Sequence, residues 1–155
     1  MWRTMKVFIE NEAGSCVKHE HNEKTLELKG TSIVSRAFPW PYGFVLDTTG
    51  EDGDNVDCFV LTSRKLSTGE IVDCEPVGLI EQIEDGEVDH KIFAQLKGET
   101  SVLDQKAQDT FKDFASHVFE HVPSKTMKIG GCFGAAVAID YIARHADVPG
   151  QKTSV

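Results

Sequence analysis

The pattern of hydrophobic and polar positions over the first ninety-odd residues reads as a series of strands. Residues 6–11 and 15–20 read as short strands joined by Glu12-Ala13-Gly14, a hairpin signal. Residues 25–29 alternate, with Leu26 and Leu28 on one face and Glu27 and Lys29 on the other, until Gly30 stops the run. Residues 42–46 and 56–61 are β-branched and aromatic and flank an acidic turn. Residues 72–83 form a long strand candidate bent near Pro76 and Gly78, and 88–96 return after the turn Glu84-Asp85-Gly86-Glu87. The period changes at residue 101. From there to 122 the apolar residues Leu103, Ala107, Phe111, Phe114, Ala115, Val118, Phe119 and Val122 fall on one helical face. Ser101 is the expected N-cap and Pro123 the stop. One more short strand is expected at 127–129, and Gly130-Gly131 then leads to a second, Ala-rich helix over 133–145. Many strands followed by two helices predict a small β-barrel with the helices packed outside it.

A length of 155 residues fits one domain, expected over 1–155, and is enough to bury a core without staples. The net charge of −9 argues against nucleic acid and anionic membrane surfaces as partners. Cys16, Cys58, Cys74 and Cys132 are scattered, with no CxxC pair, which favours a reducing compartment over a zinc site. Residues Met1 to Lys6 lead into the first strand with no apolar leader pattern. No apolar run approaches the roughly 20 residues that span a bilayer. A cytoplasmic location is expected.

The strongest chemical signal is Glu51-Asp52-Gly53-Asp54-Asn55-Val56-Asp57, followed by an apolar strand. Carboxylates this crowded repel one another and are either spread into solvent or gathered round a cation. An EF-hand register fails here: starting at Asp52 it puts Asp57 where glycine is required and Ser63 where the bidentate Glu should be. A hard cation such as Mg²⁺ would suit oxygen ligands, and Asp57 at the strand start would be held rigidly. A second acidic cluster, Glu84, Asp85, Glu87 and Asp89, precedes Lys91. Asp89 and Lys91 are two apart, as are Lys18 and Glu20, so each pair shares a strand face, and Glu10 lies on the preceding strand. Acids and lysines on one face suit a metal-bound phosphate; the competing reading is ordinary cross-strand salt bridging.

Phe38-Pro39-Trp40-Pro41-Tyr42-Gly43-Phe44, then Asp52-Gly53-Asp54-Asn55-Val56-Asp57, Pro76-Val77-Gly78, Asp89-His90-Lys91 and Phe119-Glu120-His121 resemble, in order and spacing, the soluble family I inorganic pyrophosphatases. The likeness runs over roughly residues 6–145. It implies a mainly β, α+β fold: a five-stranded, OB-like closed barrel with two flanking helices. It implies Mg²⁺-dependent hydrolysis of pyrophosphate with two or more ions. By motif, Asp52, Asp57 and Asp89 would be primary metal ligands, with Glu10, Glu20 and Glu84 or Asp85 completing the shell. Asp54 would be the base acting on the attacking water, and Lys18, Tyr42 and Lys91 would contact phosphate oxygens. The likeness also implies a homo-oligomer, for which the apolar second helix offers a face.

This chain departs from the family pattern at three places. Val122-Pro123 stand where the family carries Tyr-Lys, Lys29-Gly30 where it carries an Arg, and Pro41 where bacterial members carry Asn. Lys29, Arg36, Lys125 or Lys128 would have to supply the lost phosphate contacts. The alternative is a weakened relative that acts on another phosphoanhydride or only binds metal and phosphate. A competing motif, His117-Val118-Phe119-Glu120-His121, matches the inverted zinc-hydrolase pattern on the first helix.

Overall fold

The computed structural model describes residues 4–148. The outer ends of the expected domain, residues 1–3 and 149–155, lie outside the described residues. The elements in order are β1 (Met5–Asn11), β2 (Val17–His21), β3 (Leu28–Ile33), β4 (Tyr42–Val45), β5 (Asp57–Val60), β6 (Ile71–Glu84), β7 (Glu87–Val88), β8 (Lys91–Leu96), α1 (Gln105–His117), β9 (Met127–Gly134) and α2 (Ala135–His145). Five strands close a ring in the order β1-β4-β5-β8-β6, with β6 returning to β1. The chain is thus mostly β with two helices, as expected. β7 and β9 extend the sheet from β6, while β2 and β3 form a separate two-stranded sheet.

The two-residue period of the strands divides their side chains between two cores. Cys58 and Val60 of β5 and Ile92, Ala94 and Leu96 of β8 join residues of all the other ring strands in an inner core, closed by Ala138, Tyr141 and Ile142 of α2. Phe59 and Phe93 point the other way and stack at 5.4 Å. They form an outer core with Phe111, Phe114 and Ala115 of α1. The ring tolerates no Cβ at Gly43, where one would sit 1.7 Å from the Phe8 carbonyl oxygen. Only glycine lets β4 cross β1 that closely.

Several local expectations are corrected. Glu12-Ala13-Gly14 does turn the chain, but β2 makes no ladder with β1: it pairs with β3. Its amides are taken instead by side chains of β1, with His19 N–H donating to Asn11 Oδ1 (2.6 Å) and His21 N–H to Glu10 Oε2 (2.8 Å). Gly30 lies inside β3 rather than ending it, because the turn falls earlier, where Thr25 N–H and Lys24 N–H both donate to Asn22 Oδ1. The 88–96 segment breaks at Asp89-His90 into β7 and β8. The N-cap of α1 is Asp104, whose carboxylate accepts from Ala107 N–H, and not Ser101, whose hydroxyl donates to Leu61 O. Glycine does not interrupt β9, which runs through Gly130-Gly131 to Gly134, so α2 starts at Ala135.

Candidate active site

The parallel pairing of β5 with β8 sets Asp57 beside Lys91 in register. Parallel strands start at the same end, so both side chains arrive at one rim of the ring with Asp89 just before them. Lys91 Nζ lies 2.7 Å from Asp57, 3.1 Å from Asp89 and 2.9 Å from the Tyr42 hydroxyl. Burial opposes its charge, but Asp57, Tyr42 and Asp89 around it hold the ammonium well above the usual lysine range. Burial also works against ionisation of Asp89, yet Lys91 and the hydrogen bonds to its carboxylate bring it below the usual range. Burial pushes Asp57 and the Tyr42 phenol up.

The loop before β5 carries the other acids. Gly53 adopts φ +88°, a conformation open to glycine, and lets the chain turn so that Gly50 N–H donates to Asp54 O (2.7 Å). Asp54 N–H in turn donates to Asp52 Oδ1 (3.0 Å). Tyr141 of α2 donates to Glu51 Oε1 (2.6 Å), which holds the Glu51 carboxyl below its usual range with help from His145. On the facing wall a bulge in β1 between Ile9 and Asn11 frees Glu10, which is 7% exposed and raised by burial despite its bonds from His21. Lys18 pairs loosely with Glu20 (3.4 Å), confirming their common face.

These side chains line one cleft of about 510 Å³. It contains each residue to which the family resemblance assigns a metal, base or phosphate role: Glu10, Lys18, Glu20, Tyr42, Asp52, Asp54, Asp57, Glu84, Asp85, Asp89 and Lys91. In all, ten lining residues are Asp or Glu and four are Lys, so the cleft carries excess negative charge that a cation would neutralise. Among the described residues no three such groups already converge on one point. They surround the cleft from several strands. Their all-carboxylate oxygens are nevertheless the donor type that Mg²⁺ selects, and burial raises Glu10, Asp52 and Asp57.

The sequence model of the inorganic pyrophosphatase family matches residues 7–147. The chain belongs to the inorganic pyrophosphatase family. It is 30% identical over 152 residues to the inorganic pyrophosphatase of Saccharolobus solfataricus, covering 90% of this chain and 88% of that protein. It is 31% identical over 149 residues to that of Thermoplasma volcanium, covering 88% of each. Among solved structures, the inorganic pyrophosphatase of Neisseria gonorrhoeae superposes with a TM-score of 0.84 at 27% identity, over 92% of this chain and 88% of that one.

Measured against the pyrophosphatase pattern, two of the four candidate substitutes reach the cleft. Lys29 lines it, as does Lys125, which lies 2.8 Å from Glu84 and 4.7 Å above the Phe119 ring. Arg36 is tied instead to Asp113 (2.8 Å), and Lys128 is not among the lining residues. The inverted zinc motif does not assemble. α1 ends at His117, so His121 leaves the helical face; His117 Nδ1 contacts Asp113 O (2.8 Å) and His121 Nδ1 contacts Ser35 Oγ (2.7 Å).

Sequence reasoning missed Glu23. It lines the cleft from the β2–β3 turn and accepts from Asn55 N–H (2.9 Å). Burial, reinforced by Asp54 and Glu10, pushes its carboxyl from 4.5 to about 8. The folded chain thus keeps a proton there that the unfolded chain has released, and this costs stability progressively as pH rises from 4.5 to about 8. Glu23→Gln keeps the acceptor for Asn55 and removes that cost. In chelator at pH 8 the variant is expected to melt several degrees above the parent, with the gap closing at pH 4. Equal melting points at both values would show that Glu23 carries no such penalty.

Proposed function

We propose that this chain hydrolyses inorganic pyrophosphate to two phosphates in a reaction that depends on Mg²⁺, with two or more ions held in the cleft. The observation that carries this reading is the meeting, in one cleft of a pyrophosphatase-family chain, of many carboxylates with lysines and a tyrosine. The names of the curated relatives support the substrate. Bound there, Mg²⁺ supplies Lewis-acid polarisation of phosphoryl oxygens and lowers the pKa of water. Asp52, Asp57 and Asp89 are the primary ligands in this reading, with Glu10, Glu20 and either Glu84 or Asp85 completing the shell. Asp54 takes a proton from the attacking water as its oxygen bonds to one phosphorus and the bridging P–O bond breaks. Lys18, Tyr42 and Lys91 donate to phosphate oxygens and stabilise charge on the leaving phosphate. Lys29 and Lys125, both on the cleft wall, stand in for the family's missing donors.

The chain acts in this proposal as one cytoplasmic domain. Among the described residues no helix is long and apolar enough to cross a membrane. Exposed Val102, Phe133 and Val137 support self-association. The net charge of −9 weighs against nucleic acid and membrane partners.

The direct test is phosphate release from pyrophosphate with and without Mg²⁺, beside a panel of nucleotides and polyphosphates. Release from pyrophosphate that stops in chelator is expected. Mg²⁺ alone should also raise the melting temperature by several degrees, since saturating a site a hundredfold above its Kd adds about 2.7 kcal/mol. No release above background at any Mg²⁺ level overturns the hydrolase; release from other anhydrides alone overturns the substrate.

A further inference from the structure

The acidic loop holds its own shape only through short-range bonds, from Gly50 N–H to Asp54 O and from Asp54 N–H to Asp52 Oδ1. It contains Gly50 and Gly53, its residues 51–54 are exposed, and its like charges push apart. A further anchor comes from α2. Tyr141 is 7% exposed, its ring packed in the inner core with Ala138 and Ile142 while its hydroxyl reaches Glu51 Oε1 at 2.6 Å. His145, one turn on, lies tilted against the Tyr141 ring, with centroids 4.1 Å apart, and contacts the same Glu51 oxygen at 3.0 Å. Its carbonyl accepts from Thr49 N–H (2.9 Å). The Tyr141 ring also meets His90, with centroids 5.6 Å apart, and His90 is the neighbour of Asp89. One rigid side chain thus touches both acid-bearing segments, although it does not line the cleft.

We infer that Tyr141 is a positioning residue: through Glu51 it fixes the loop that carries Asp52 and Asp54, so that α2 sets how tightly the cleft binds divalent cations. This rests on the proposal that the cleft holds Mg²⁺. The acids on the loop supply the charge; Tyr141 supplies their placement, which would otherwise be lost to loop entropy on each binding event.

The test is calorimetric titration of Mg²⁺ into the substrate-free protein, alongside melting in chelator. Tyr141→Phe keeps the ring in the core and removes only the hydroxyl. Its Kd for Mg²⁺ is expected to rise about tenfold, as the free loop loses its preorganised placement and must be ordered on binding, while the chelator melting point stays within a few degrees of the parent. Glu51→Ala should weaken Mg²⁺ binding too, and adding Tyr141→Phe to it should cost nothing more, because the two residues act through one bond. Unchanged Mg²⁺ affinity in Tyr141→Phe overturns the inference, and so does a double variant whose losses simply add. A parent chain that binds no Mg²⁺ overturns the metal site itself and takes the inference with it. A parent that binds Mg²⁺ but leaves pyrophosphate intact overturns only the hydrolase, and the titrations still decide on Tyr141.

Discussion

Asp54→Asn should lose most pyrophosphate turnover, about a hundred- to ten-thousand-fold in kcat, the range for removing a general base. The amide has the shape of the carboxylate but cannot accept a proton at neutral pH. Asp54 is the acid best placed for the role. It lies on the exposed loop facing the cleft, and unlike Asp57 and Asp89 it is not engaged by the Lys91 ammonium. The substitution also removes one charge from a cluster in which Asp54 helps to push Glu23 up. The fold should therefore be no less stable, and calorimetric Mg²⁺ affinity should stay within a few-fold of the parent. Steady-state kinetics at saturating Mg²⁺ checks the turnover. Full rate in Asp54→Asn would remove it from the base role and turn attention to Glu23, its electrostatic neighbour.

Lys91→Met should be the most damaging change to stability. Lys91 is 6% exposed and is the cation between Asp57 and Asp89. Breaking a buried pair by removing one partner costs about 3–5 kcal/mol, because a desolvated charge is left behind. Methionine fills much of the lysine stem's volume, so the loss reports charge rather than a cavity. The carboxylates can escape part of the penalty by taking up a proton. The variant's deficit in chelator should therefore be smaller at pH 5 than at pH 8, since its folded state binds protons that the unfolded chain has released. Added Mg²⁺ should recover part of the deficit at pH 8 by replacing the lost positive charge. Denaturant melts at the two pH values, with and without Mg²⁺, measure all of this. A deficit independent of both pH and Mg²⁺ would mean that packing, not charge, is what Lys91 contributes.

Much of this could be read along the chain because it is written in short-range pattern. The strand-like run at 6–11, the β-branched and aromatic run at 56–61 and the helical spacing through Phe111, Phe114 and Ala115 correspond to β1, β5 and α1. The two-residue spacings of Lys18 with Glu20 and of Asp89 with Lys91 place each pair on one face. What was hidden depends on distant partners. Nothing near His19 or His21 says that their amides go to side chains of β1, so β2 looked like half of a hairpin with it. Ser101 and Asp104 are both good caps by composition; the contact of Ser101 with Leu61, forty residues away, leaves the cap to Asp104. Glu23 sits in a polar turn that any solvated loop could resemble, and its meaning comes from Asn55, 32 residues on. The Asp57–Lys91 pair needed the parallel register of β5 and β8, which no local pattern announces. Lys29 and Lys125 reach the cleft while Arg36 does not, a choice made by an ion pair with Asp113.

That parallel register also bears on how the protein would regain function after unfolding. Asp57 and Lys91 are separated along the chain by the long excursion through β6 and β7, and the ring closes where β1 pairs with residues 71–74. Contacts of such sequence separation form slowly, because much chain entropy is lost before they contribute. Helical signal from α1 and α2 can return early from local contacts alone. Catalytic recovery then becomes the late observable in a refolding experiment, lagging the far-ultraviolet signal and marking the moment at which the two strands find each other.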